Sequence, residues 1–150
     1  MPFTPNVFTY QNNDCIIKPE SNQYYGGEVR WIATATVMPA SAVTDHVTKN
    51  TPCGTMDGYL DVWTSGSKKY VQGRTYCTSK VSKISVAIAI VSYPDGDPIY
   101  DYNNTTVSNY DATSVSTYAY SFSKNPVSAF GAHQVENTVA YGDYTALTNA

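Results

Sequence analysis

Along residues 81–93 the chain reads Val-Ser-Lys-Ile-Ser-Val-Ala-Ile-Ala-Ile-Val-Ser-Tyr, and large side chains alternate with small ones. Ile84, Val86, Ile88 and Ile90 share one parity, while Ser85, Ala87 and Ala89 share the other. A period of two built on β-branched residues predicts a strand. The size split predicts that one face fills a core while something approaches the other closely. Pro94-Asp95-Gly96-Asp97-Pro98 ends the run, since proline has no donor for a ladder and Asp-Gly suits a tight turn. The stretch reads as a central strand of an antiparallel sheet.

Similar alternation recurs on both sides of it. Residues 28–38 set Val29, Trp31, Ala33, Ala35 and Val37 against Arg30, Ile32, Thr34 and Thr36, and stop at Pro39. Residues 58–64 carry Tyr59, Leu60, Val62 and Trp63. Ser65-Gly66-Ser67 joins them as a hairpin to 69–78, where Tyr70, Gln72, Arg74 and Tyr76 alternate with Val71, Gly73, Thr75 and Cys77. Residues 114–122 align Tyr118, Tyr120 and Phe122, and Lys124-Asn125-Pro126 turns the chain. The last two strands are expected at 128–135 and 139–148, with Glu136-Asn137 between them. Two segments break the pattern. Residues 40–56 are irregular and suit a short helical turn at 41–47 capped by Ser41, and 99–111, with Asn103-Asn104-Thr105-Thr106, is expected as an exposed loop.

Residues 1–25 are polar and proline-bearing, with Val7-Phe8 and Ile16-Ile17 as short apolar patches, and read as an extended arm. Gly26-Gly27 then opens a domain at 26–150. Roughly seven or eight short strands with turn signals between them, and no sustained helical period, predict an all-β fold. The expected architecture is a single antiparallel β-sandwich, Ig-like or jelly-roll-like, with an extended N-terminal arm.

Composition narrows the partners. Charged residues make up 14% of the chain, so Ser, Thr, Asn, Gln and the 14 tyrosines must supply its solubility. Such a balance is common in extracellular β proteins and in subunits that pack against copies of themselves. The net charge is −3 and the nine basic residues are scattered apart from Lys68-Lys69, which is no footprint for nucleic acid or an anionic membrane. No apolar run approaches the roughly 18 residues of a membrane span. The start, Met-Pro-Phe-Thr-Pro-Asn, has neither a basic nor an apolar leader region, which fits an intracellular or virion-borne protein or a mature secreted chain. Composition favours the secreted chain. Cys53 in a Thr-Pro-Cys-Gly turn and Cys77 in a strand are spaced to close a loop, so a Cys53–Cys77 disulfide is the candidate bridge, with Cys15 left over. Three reduced structural thiols remain the competing reading.

The second half carries a resemblance. Tyr76-Cys77 leads into the 81–91 strand, followed by a Gly turn and a Ser/Thr/Tyr-rich strand, then Phe130-Gly131-Ala132-His133-Gln134-Val135 and Tyr144-Thr145-Ala146-Leu147-Thr148. Over residues 70–150 the chain resembles small secreted β-sandwich proteins of Gram-positive bacteria. That resemblance implies an extracellular setting and no particular chemistry.

Candidate chemistry is sparse. His46 and His133 are the only histidines. His133 alternates with Gly131 and Val135, so a structural role is expected. His46 follows Asp45, but neighbouring strand residues point apart, so the two form no dyad by spacing. No Gly-x-Ser-x-Gly occurs, and a Ser or Cys hydrolase ranks last without being excluded. Asp95, Asp97 and Asp101 make an oxygen-rich loop that is a weak Ca²⁺ candidate, though an acidic hairpin turn explains it as well. Tyr70, Tyr76, Tyr118, Tyr120, Tyr141 and Tyr144 fall on or beside strands, where a stiff ring with a polar tip serves both packing and recognition. These six are the candidate binding surface. No cofactor and no enzymatic activity are expected. The expected function is a non-catalytic extracellular interaction module that binds a surface glycan or protein. The alternative is a self-assembling subunit of a fibre, appendage or virion whose N-terminal arm adds a strand to a neighbouring copy.

Overall fold

A computed structural model describes residues 9–11, 14–16, 29–32, 38–92, 101–121 and 126–150. They form the strands β1 Thr9–Gln11, β2 Asp14–Ile16, β3 Val29–Ile32, β4 Val43–Thr51, β5 Gly54–Ser65, β6 Lys68–Ser92, β7 Asp101–Ser121, β8 Val127–Glu136 and β9 Ala140–Leu147. Every pairing among them is antiparallel. All-β architecture, read from the period-two runs, is what the chain adopts.

β6 is the axis. β7 runs beside it from Lys69↔Ser121 to Ser92↔Asp101. On its other edge the first half of β6 takes β5 and the second half takes β8. β4 lies outside β5, β9 lies outside β8, and β3 joins the far end of β7 at residues 118–121. Residues 69–78 and 81–93, expected as separate strands, are thus two halves of one. Between them the ladder slips, so that Tyr76 faces Ser114 whereas Val81 faces Ala112. Extra residues on one strand bend it sharply, and Asp111, beside the slip on β7, takes a left-handed φ of 48°.

The bend folds the β6–β7 hairpin onto itself and makes two facing sheets. One holds β4, β5 and the first half of β6; the other holds the second half of β6 with β8 and β9. How closely they approach is visible at two glycines. A methyl group on Gly73 would lie 2.5 Å from Cγ2 of Ile88 and 3.0 Å from Cγ2 of Val86, both later in the same strand. A methyl on Gly58 would lie 2.4 Å from the ring carbon Cγ of His133 on β8. Between the sheets lie Met56, Leu60, Val62 and Val71 from the first, and Ile84, Val86, Ile88, Ile90, Val127, Ala129 and Val135 from the second. The large parity of residues 81–93 faces this core. Its small parity is also buried, with Ala87 and Ala89 at 0% exposure, so both faces of the strand are covered as the size split predicted.

The free edges of β4 and β9 come together without a ladder. Asp45 accepts a hydrogen bond from the Ala146 amide through Oδ2 at 2.8 Å, and Lys49 donates to the Gly142 carbonyl at 3.0 Å. Asp45 Oδ1 takes the neighbouring His46 amide at 3.0 Å, and Asp143 takes the Tyr144 amide at 2.8 Å. Carboxylates and an ammonium therefore occupy amide and carbonyl groups that a backbone partner would otherwise use.

Several local expectations are corrected. Residues 41–47 are not helical: a turn closes from Ala42 to Pro39 and β4 begins at Val43, where Val43, Thr44, Val47 and Thr48 pair with β5. The ladder and the β-branched side chains override a possible Ser41 cap. Asn103-Asn104-Thr105-Thr106 is no loop, because β7 pairs there with residues 87–90 of β6. The turn at Ser65-Gly66-Ser67 is as expected, with Gly66 at φ 61°. Of the expected 28–38 strand, 29–32 is described as β3, and of the 1–25 arm, β1 and β2 pair with each other as a hairpin beside β9. Met38, the end of the expected 28–38 strand, is exposed and in no strand, and the remainder of both segments lies outside the described residues.

Gly73→Ala should lower unfolding free energy by about 1–3 kcal/mol through overpacking, and Ile88→Ala by about 2–5 kcal/mol through a cavity. Because the Ile88 methyl is the atom a residue-73 side chain meets, the double variant should cost less than the two together. Urea unfolding of the three variants checks this, and strict additivity would mean the two halves of β6 do not touch there.

Candidate binding face

On the first sheet, the side chains that point away from the core form rows across the strands. The registers His46↔Tyr59 and Tyr59↔Arg74 place β4, β5 and β6 side chains in one row. The His46 ring lies flat on Tyr59, with centroids 4.2 Å apart and planes inclined by 2°. The Arg74 guanidinium lies over the same tyrosine at 4.3 Å from its centroid and over Tyr76 at 5.8 Å. Tyr76 meets Tyr59 edge-on at 5.9 Å. A second row follows four residues along: Trp63 stacks on Tyr70 at 5.5 Å, Tyr70 meets Tyr120 at 5.7 Å, and Lys68 sits 4.5 Å over the Tyr120 ring. Stacked planar groups of this kind restrain one another's rotamers.

Two carboxylates anchor the face. Asp61, fully buried, receives Arg74 Nε at 2.9 Å, Arg74 Nη2 at 3.2 Å and the Thr44 hydroxyl at 2.7 Å. That fork fixes the guanidinium over Tyr59. Asp57 receives the Thr48 hydroxyl at 2.6 Å and His46 Nε2 at 2.8 Å. The Thr48 hydrogen bond, and then the one from His46, hold the Asp57 carboxyl below the usual carboxylate range. The surface is thus built before any partner arrives. Its exposed parts are Thr44, His46, Thr48 and Tyr76; Tyr59, Tyr70, Arg74 and Tyr120 are half-buried and Trp63 is buried.

His133 has a different environment. It is fully buried between the sheets. Thr75 donates its hydroxyl proton to the Ser85 carbonyl at 3.0 Å, so His133 Nδ1–H must donate to Thr75 Oγ1 at 2.9 Å. Nε2 is then unprotonated and accepts from Thr145 Oγ1 at 2.7 Å. Burial pushes this histidine down to about 3, against the smaller opposing pull of the Arg74 backbone. A hydroxyl donating to an oriented imidazole has the geometry of a nucleophile and its base. Here, however, Thr145 is 2% exposed and His133 0%, so no substrate reaches the pair. The triad-like arrangement ties β6, β8 and β9 together instead.

Of the tyrosines singled out from the sequence, Tyr70, Tyr76, Tyr118 and Tyr120 lie on the outward parity of the first sheet, and Tyr141 and Tyr144 do not. Tyr141 packs against the core and Tyr144 is half-buried on β9. The sequence reading missed Tyr59, Trp63, Asp57, Asp61, Arg74 and His46 as members of the face. Their signal was the alternation of Asp57, Tyr59, Asp61 and Trp63 against Gly58, Leu60 and Val62. Cys53 and Cys77 do come together, but as buried thiols. The Cys77 thiol donates to the Cys53 carbonyl at 3.7 Å, so its sulfur addresses the turn backbone and no bridge is formed. Asp95 and Asp97 lie outside the described residues, as does the side chain of Asp101, and Cys15 is described only as a position in β2. Among the described residues no group of three His, Cys, Asp or Glu side chains could hold a metal ion.

No family model matches the chain, and no curated protein matches it. Among solved structures it is similar to the GAE domain of GGA2p from Saccharomyces cerevisiae, at 14% identity over 69% of this chain and 96% of that one, with a TM-score of 0.32.

The folded His133 pKa lies below the unfolded value of about 6.5, so its burial contributes fully above that pH and the contribution is lost as pH falls towards 3. Full loss corresponds to about 5 kcal/mol. His133→Gln should flatten the pH dependence of unfolding free energy between those limits by up to one proton, whatever its effect on absolute stability. Urea titrations across that range check this; equal slopes would mean His133 takes up its proton in the folded state.

Proposed function

We propose that the protein is a non-catalytic interaction module whose outward face on β4–β7 binds a protein partner, in the extracellular setting that its low charge and its sequence resemblance lead one to expect. One observation carries the choice of partner. Tyr59 has His46 on one side and Arg74 on the other, and Tyr70 lies between Trp63 and Tyr120. A sugar stacks by laying its C–H face on an open ring face, and these ring faces are taken. What the rows present is ring edges, hydroxyls, an imidazole and a fixed guanidinium, the groups by which protein interfaces make anchors and hydrogen bonds. Pre-organisation by Asp61 and Asp57 limits the ordering cost of binding. Neither candidate base supports catalysis: His133 is sealed in, and the Thr48 hydroxyl beside His46 gives its proton to Asp57.

The test uses a photo-crosslinking residue at position 76 and, as control, at exposed position 79. A discrete protein adduct should form from position 76 only, be competed by unlabelled protein, and be lost when His46→Ala is added. Folding is monitored by thermal melts, in which His46→Ala should change little. Retention on immobilised glycans that depends on Tyr76, with no position-76 adduct, would replace the protein reading with the glycan one.

A further inference from the structure

The second sheet ends in an open edge. From residues 101 to 110, β7 pairs with β6 on one side, and among the described residues no strand pairs with its other side; β3 reaches only residues 118–121. The other pair of edges, β4 and β9, is sealed by Asp45 and Lys49. Natural edges are normally guarded by lysine, proline or an inward charge. This one reads Asp-Tyr-Asn-Asn-Thr-Thr-Val-Ser-Asn-Tyr, with no basic residue, no proline and one terminal carboxylate. Tyr110, at 69% exposure, stands on it. Nearby, Thr106 Oγ1 is buried without a hydrogen-bond partner.

We infer that the 101–110 edge of β7 is a strand-pairing interface whose occupant is the same edge of a second copy of this chain. Two β7 edges related by a two-fold axis normal to the sheet run antiparallel, so each offers the other's outward amides and carbonyls their partners around the axis. Self-pairing also fits the charge pattern, because about a two-fold at Ser108 the uncharged residues 106–110 meet the same residues of the other copy. With the axis at Ser108, Tyr110 of each copy lies opposite Thr106 of the other, an aromatic against a β-branched residue. Asp111 then faces Thr105, and neither carboxylate meets another. The two second sheets join into one continuous sheet, and the interface is isologous and closes at the dimer. The binding face on the first sheet stays open in both copies, so one dimer carries two of them.

Sedimentation velocity on the full chain, over a concentration series, should show a monomer giving way to a species of twice the mass and nothing larger. Asn109→Lys with Tyr110→Lys places two charges per copy at the centre of the pairing; it should leave the melting temperature of the monomer nearly unchanged and shift dimerisation beyond the accessible concentrations. Deleting residues 2–13 should leave the dimer intact. A chain that stays monomeric at its solubility limit overturns the inference. So does a dimer that survives both lysines, or one lost on deleting residues 2–13 while the lysine variant still dimerises, since that pattern belongs to arm donation. None of these outcomes depends on whether position 76 captures a partner.

Discussion

Two sheets that leave no space for a methyl group at Gly58 and Gly73 must meet there in one way only. Gly73 is packed against side chains later in its own strand, and Gly58 against the face of the His133 ring. The ring is fixed in turn by a hydroxyl from each sheet, Thr75 and Thr145. A polar group so placed is costly unless every atom is satisfied, and here the hydrogen-bond directions leave a single tautomer. The apolar residues would tolerate sliding of one sheet on the other. The Thr75–His133–Thr145 chain does not. Spacing and registration of the core therefore depend on a contact whose parts come from β5, β6, β8 and β9.

This registration also sets the outward face. Gly58 and Thr75 are opposite one another on the core side of β5 and β6; their sequence neighbours Tyr59 and Arg74 are opposite one another on the outer side. Whatever fixes the inner pair fixes the outer one, because successive side chains of a strand point to opposite faces. The buried Asp61 has the same double character. It is held by Arg74 and Thr44, and loss of the guanidinium would strand a buried charge, a change that typically costs about 3–5 kcal/mol. Core and binding face are thus two sides of one set of strands.

The strands were legible from residues such as Ile84, Val86, Ile88 and Ile90 because period-two burial is a local property. The fold of β6 onto itself was not. Thr78-Ser79-Lys80 looks like any polar junction, and only the slipped ladder against β7, with Asp111 in a left-handed conformation, shows that the strand continues through it. Asn103-Asn104 misled for a related reason: weak strand propensity yields to a partner that is already in place. Four of the six tyrosines were found on one face, since parity within a strand can be read from the chain. Their stacking partners were not, because register between strands depends on contacts distant in sequence, and Tyr141 and Tyr144 both sit on β9 of the other sheet.

The side-chain seam between β4 and β9 has a mechanical meaning. Between the other neighbours in the series β4, β5, β6, β8 and β9, the interval from one strand to the next is set by the length of an amide hydrogen bond, which hardly stretches. At the seam it is set by an aspartate and a lysine, whose single bonds rotate and whose reach varies. Among the described residues, these five strands make a hoop whose side-chain link is elastic. Strain applied to its girth is taken up by rotamer changes at Asp45 and Lys49 while the ladders, the core glycines and the tyrosine rows keep their geometry.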